Sequence, residues 1–133
     1  MTIRVVIAED EAIIRLDLRE TLEEEGYDVV GETGRGDDAV ELVRHLRPDL
    51  AILDIKMPGI DGLEAARVIT AERICGVLML TAFSQREVIE EARDAGALAY
   101  LDNRDRCGAM RVIESALNAV GAMPTKRNNQ RRR

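Results

Sequence analysis

A chain of 133 residues suits one compact domain built on a single core. Hydrophobic residues make up 46% and charged residues 33%, which excludes a disordered or fibrous chain, and aromatics at 2% require an aliphatic core. The formal net charge is −6, and because Lys126, Arg127, Arg131, Arg132 and Arg133 crowd the end, residues 1–125 carry −11, which argues against nucleic-acid binding through the domain surface.

Short apolar runs alternate five times with longer segments of helical period. The first run, Ile3–Ala8, leads into Glu9, Asp10 and Glu11. A helix follows with Ile14, Leu18 and Leu22 on one face, closed by Glu23, Glu24 and Glu25 before Gly26, a natural C-terminal stop. Asp28–Glu32 is the second strand. The second helix is expected over about Asp37–Leu46, with Asp37 or Asp38 near its N-cap, Ala39, Val40, Val43 and Leu46 as its buried stripe, and Pro48 ending it. Leu50–Leu53 forms the third strand and Asp54 follows it. The third helix starts near Gly62 and runs to about Arg73; the fourth strand, Val77–Leu80, closes at Thr81. The fourth helix covers roughly Arg86–Ala95, the fifth strand Ala99–Leu101, and the fifth helix about Ala109–Val120, with Ile113, Ala116, Leu117 and Val120 facing the sheet. Residues 1–121 thus form one domain, and the aperiodic segment 122–133 is expected to be a disordered basic tail.

Strands that are apolar without clean alternation are covered on both faces. Alternating β and α units with short loops therefore imply an α/β, doubly wound parallel sheet whose ligands bind at the strands' carboxyl ends. No apolar run approaches the roughly 20 residues of a bilayer span, and "MTIRVVIAEDE" meets acid too early for a signal peptide, so a cytoplasmic protein without membrane insertion is expected. Cys75 and Cys107 sit in no metal-ligand spacing and read as reduced thiols; His45 reads as surface.

The informative acids are Glu9, Asp10 and Asp54, at the ends of strands that such a sheet can make neighbours. Each alone reads as an ordinary solvated charge. Converging, they would repel one another unless a cation lay among them, and oxygen-only ligands favour Mg²⁺. A carboxylate held beside Mg²⁺ can attack a phosphoryl donor, which makes Asp54 the candidate nucleophile, and the Thr81 hydroxyl can hydrogen-bond a phosphoryl oxygen. An aspartyl-phosphate phosphatase would want an acid two residues after the nucleophile, where Lys56 stands. A flavin site would need a hydroxyl- and glycine-rich first loop, whereas "AEDEAII" is acidic.

"VVIAEDE", "LAILDIKMPGIDG", "LMLTAFS" and "DAGALAYL" resemble, in order, the signature segments of bacterial response-regulator receiver domains, over about residues 3–120. The wording is most similar to receivers of ANTAR-type regulators, which carry an RNA-binding output domain. The resemblance implies the flavodoxin-like receiver fold, a five-stranded sheet of order 2-1-3-4-5 with five helices. It implies a signalling phosphoacceptor, not an enzyme, that assists its own phosphorylation and dephosphorylation. Its donor would be a sensor histidine kinase's phosphohistidine. By the same resemblance Glu9, Asp10 and Asp54 supply carboxylates to Mg²⁺ and Lys56 a backbone carbonyl. Met57-Pro58-Gly59 and Asp61-Gly62 resemble the turn after the phosphoacceptor, and Lys56 and Phe83 the positions that control water access. Thr81 and Tyr100 resemble a switch pair that would remodel the face around the fourth helix and fifth strand, through which a downstream protein or a second copy would dock.

Two departures stand out. The Lys expected three residues after the switch aromatic, and the Pro after it, fall at Asn103 and Arg104, so a neutral amide replaces a cation and the Asn103–Arg104 bond is expected trans. Arg104 or Arg106 is near enough in sequence to restore the charge. ANTAR regulators also continue into an output module absent from these 133 residues, so nucleic-acid binding is not expected. The alternative reading is a phosphorylation-independent, degenerate receiver that serves as a protein interaction module.

Overall fold

The computed structural model describes residues 2–81, 86–102 and 106–119. The order of elements is β1 (Arg4–Ala8), α1 (Ala12–Glu24), β2 (Asp28–Thr33), α2 (Gly36–Leu46), β3 (Leu50–Asp54), α3 (Gly62–Ala71), β4 (Gly76–Thr81), α4 (Arg86–Asp94), β5 (Ala99–Asp102) and α5 (Arg106–Ala119). The strands form one five-stranded sheet in the order β2-β1-β3-β4-β5, and every pair is parallel. This is the flavodoxin-like receiver fold expected from the sequence.

Strand side chains point alternately to two separate cores, which explains why the sequence shows apolar runs rather than an apolar and polar alternation. Val5 and Ile7 of β1, Leu50 and Ile52 of β3, and Leu78 and Leu80 of β4 pack with Leu18 and Leu22 of α1 and Ile113 and Leu117 of α5. On the other face Val6, Ala8, Ala51, Leu53, Val77 and Met79 pack under α2, α3 and α4. That second layer is rich in alanine, Ala39, Ala65, Ala66, Ala92 and Ala95 among them, so the helix backbones approach the sheet closely.

Helix ends differ from the expected ones in instructive ways. Gly26 takes φ +94 two residues after α1, as its lack of a Cβ allows. The second helix begins at Gly36 with Arg35 as N-cap, so Asp37 and Asp38 occupy its first turn, where carboxylates favour the positive helix end. Arg47, in the left-handed conformation, ends it before Pro48 does. The fifth helix starts three residues before the expected Ala109. Phe83, Asn103, Arg104, Val120 and the 122–133 segment lie outside the described residues.

Candidate functional site

The register of the sheet assembles the acids. Ala8, the last residue of β1, pairs with Leu53 of β3, so the residues that follow, Glu9 and Asp54, emerge at the same level. One carboxylate oxygen from each of Glu9, Asp10 and Asp54 lies within 4.8 Å of the others. Glu9 is buried at 1% exposure, Asp54 is half-buried and Asp10 is exposed. Among the described residues no Lys or Arg forms an ion pair with any of the three.

Glu9 is held at three atoms. Its N–H donates to the Thr33 carbonyl at 2.9 Å, its carbonyl accepts from Arg15 Nη1 at 2.6 Å, and its Oε2 accepts the Glu11 N–H at 2.9 Å. The remaining oxygen, Oε1, is buried with no hydrogen-bond partner. A buried carboxylate oxygen without a partner costs a few kcal/mol, a cost that a coordinated cation would offset. Burial pushes the Glu9 carboxyl up to about 8, against the Glu11 N–H and with the help of the negative charges of Asp54 and Asp10. Burial also raises Asp54, to about 6, with the Ile55 N–H opposing and Asp10 adding to the rise. The Ile55 N–H donates to Asp54 Oδ1 at 2.8 Å and so fixes the rotation of the carboxylate.

The loop after β3 is shaped by close backbone approaches. The Gly62 N–H donates to the Ile55 carbonyl at 2.7 Å, and a Cβ on Gly62 would stand 1.8 Å from the Asp54 carbonyl oxygen. Gly59 takes φ +83. Asp61 caps α3 by accepting the Glu64 N–H at 2.9 Å. The start of α2 braces the same loop, the Gly36 N–H donating to the Pro58 carbonyl at 3.0 Å, and a Cβ on Gly36 would stand 1.8 Å from the Ile60 carbonyl oxygen. Gly36 escapes a reading of motifs alone, although two glycines in "GRGD" signal an unusual turn.

Thr81 ends β4, one residue beyond Leu80, the register partner of Asp54. Tyr100, paired with Met79, is half-buried against the core that contains Ala92 of α4 and Ala95 just after it. Lys56 is exposed in the bend after β3. Arg106 opens α5, and His45 is exposed beside a cleft of about 400 Å³ between β2 and α2, away from the acids. Cys75 is a free thiol whose pKa burial pushes up to about 12.

Three hard oxygen donors at one point, one of them orphaned and buried, fit a small divalent cation with room for water ligands. Among the described residues no helix is long and apolar enough to cross a membrane.

Comparison with known proteins agrees with this architecture. Residues 5–105 match the response regulator receiver domain family. The chain is 60% identical over 98 residues to the transcriptional regulatory protein PdtaR of Mycobacterium tuberculosis, an ANTAR-type regulator. That match takes in 74% of this chain and 48% of PdtaR, so the chain spans about half the length of that relative. It is 33% identical to the chemotaxis protein CheY of Thermotoga maritima, over 88% of this chain and 96% of that one. The response regulator domain of Thermotoga maritima CheB superposes with a TM-score of 0.82 at 26% identity, covering 89% of this chain and 98% of that domain. With its sheet order, its clustered strand-end acids and a family match across most of its length, the chain belongs to the response regulator receiver domain family of two-component signalling.

Proposed function

We propose that this domain accepts a phosphoryl group on Asp54 from the phosphohistidine of a sensor histidine kinase, in a Mg²⁺-dependent reaction, and thereby switches a protein-interaction face formed by α4 and β5. The observation that carries the reading is the convergence of carboxylate oxygens of Glu9, Asp10 and Asp54 within 4.8 Å, with Oε1 of Glu9 buried and without a partner. Glu9, Asp10 and Asp54 would hold Mg²⁺ through one oxygen each and Lys56 through its main-chain carbonyl. When bound, the ion neutralises charge on the phosphoryl oxygens and aligns them for in-line transfer.

Asp54 is positioned for nucleophilic attack because the Ile55 N–H holds one of its oxygens and orients the other. The Asp54 O–P bond forms as the P–N bond of the phosphohistidine breaks, the electron pair returning to the imidazole nitrogen. The Thr81 hydroxyl then donates to a phosphoryl oxygen, and Tyr100, packed against the core under α4, responds to that movement. A downstream protein or a second copy reads the altered face. The domain comprises residues 1–121, works in the cytoplasm, and carries 122–133 as a basic appendage. Transcriptional regulation, the role in the name of PdtaR, would be an output of this switch rather than nucleic-acid binding by the acidic receiver surface.

A second reading rests on Asn103, where the resemblance places a Lys. A neutral amide there favours a phosphorylation-independent interaction module. Incubation with Mg²⁺ and acetyl phosphate, followed by intact mass measurement with Asp54→Asn as control, separates the two. One added phosphoryl group that the control abolishes supports the switch; no addition by a protein that binds Mg²⁺ supports the interaction module.

A further inference from the structure

Arg15, in the first turn of α1, reaches both the residue that follows β1 and a side chain of β2. Its Nη1 donates to the main-chain carbonyl of Glu9 at 2.6 Å while its Nε donates to Glu32 Oε1 at 3.2 Å. Glu32, on β2, is itself gripped from the other side by Arg19, which also pairs with Glu23 at 3.3 Å one helical turn on. The guanidinium has room because residue 34 is glycine: a Cβ there would stand 3.3 Å from Arg15 Nη1 and 3.3 Å from the Asp10 Cα. Arg15 and Gly34 therefore both lie close against the Glu9–Asp10 peptide.

We infer that Arg15 is a positioning residue for the cation site, acting through the Glu9 carbonyl rather than by touching the ion. The inference rests on the reading above that Glu9, Asp10 and Asp54 bind Mg²⁺. With its N–H on Thr33, its carbonyl on Arg15 and Oε2 on Glu11, Glu9 is held at three atoms and keeps Oε1 without a hydrogen-bond partner. Removing the Arg15 bond frees the peptide that joins two of the three ligands and lets both carboxylates rotate apart. A planar fork suits the task, since one rigid group meets two acceptors that lie in different directions. Partners that orient metal ligands typically change affinity 10–100-fold when removed.

The test is calorimetric titration of the whole protein with Mg²⁺ at pH 8, well below the unfolding temperature, for the wild type, Arg15→Met and Arg15→Lys. Methionine keeps the apolar stem without a donor; lysine keeps the charge without the fork. We expect Arg15→Met to bind Mg²⁺ about tenfold more weakly with an unchanged far-UV spectrum, and Arg15→Lys to fall between it and the wild type. Wild-type affinity in a folded Arg15→Met variant overturns the inference while leaving the cation site intact. Full recovery in Arg15→Lys overturns the geometric account. Should Arg15→Met not fold, Glu32→Ala decides: it removes the acceptor that aims Arg15, and unaltered affinity there overturns the inference. Failure of the wild type itself to bind Mg²⁺ overturns the metal reading and the inference with it.

Discussion

Glu9 and Asp54, forty-five residues apart in sequence, present carboxylate oxygens within 4.8 Å of each other, and the deeper of the two keeps one oxygen buried and unpartnered. Burial raises both carboxyls, and neighbouring negative charge adds to the rise, from Asp54 and Asp10 on Glu9 and from Asp10 on Asp54.

Glu9 is raised from 4.5 to about 8 and Asp54 from 3.8 to about 6, so between those limits the folded state holds protons that the unfolded chain has released. Stability without metal is then greatest at the acid end of this window and falls as pH rises from about 4 to about 8, by roughly a few kcal/mol in all. Mg²⁺ competes with those protons, so its stabilisation grows over the same window. Melting temperatures from pH 5 to 8.5, with and without millimolar Mg²⁺, check both slopes; a metal-free curve that rises with pH contradicts the account.

Replacing Glu9 by Gln removes the buried charge and supplies an amide that can donate to Asp54 or Asp10. The variant should melt higher than the wild type at pH 8 without metal, and Mg²⁺ should no longer raise its melting temperature. Differential scanning calorimetry at one pH suffices.

Gly62→Ala places a Cβ where the Asp54 carbonyl oxygen now sits, 1.8 Å away. Backbone must move, so urea unfolding should show a loss of about 2–4 kcal/mol. Because the displaced atom belongs to Asp54, acetyl phosphate labelling should slow at least tenfold even where the fold is retained.

The two cores should respond to opposite changes. Ile52→Ala leaves a void on the α1 and α5 side and should cost about 2–5 kcal/mol. Ala51→Leu, one residue earlier, overfills the alanine-rich side and should cost about 1–3 kcal/mol. Chemical denaturation of both variants measures the asymmetry; a harmless Ala51→Leu would show that α2 and α3 do not lie close on the sheet.

The sequence by itself determined the five β and α units, because apolar runs and helical stripes are local consequences of which faces are buried, and it named Glu9, Asp10 and Asp54 because acids directly after apolar strands are conspicuous. It left the start of α2 misplaced by a residue, since Gly36 is chosen by its contact with the Ile60 carbonyl and not by helix propensity. Only the tertiary structure decided that β1 and β3 are neighbours in a register that levels Glu9 with Asp54, that Glu9 rather than Asp10 is the buried acid, and that Arg15 bonds its carbonyl. Those features arise from strand order and long-range contact, in which residues distant along the chain meet at the carboxyl ends of a sheet, and a linear pattern carries no record of such a meeting.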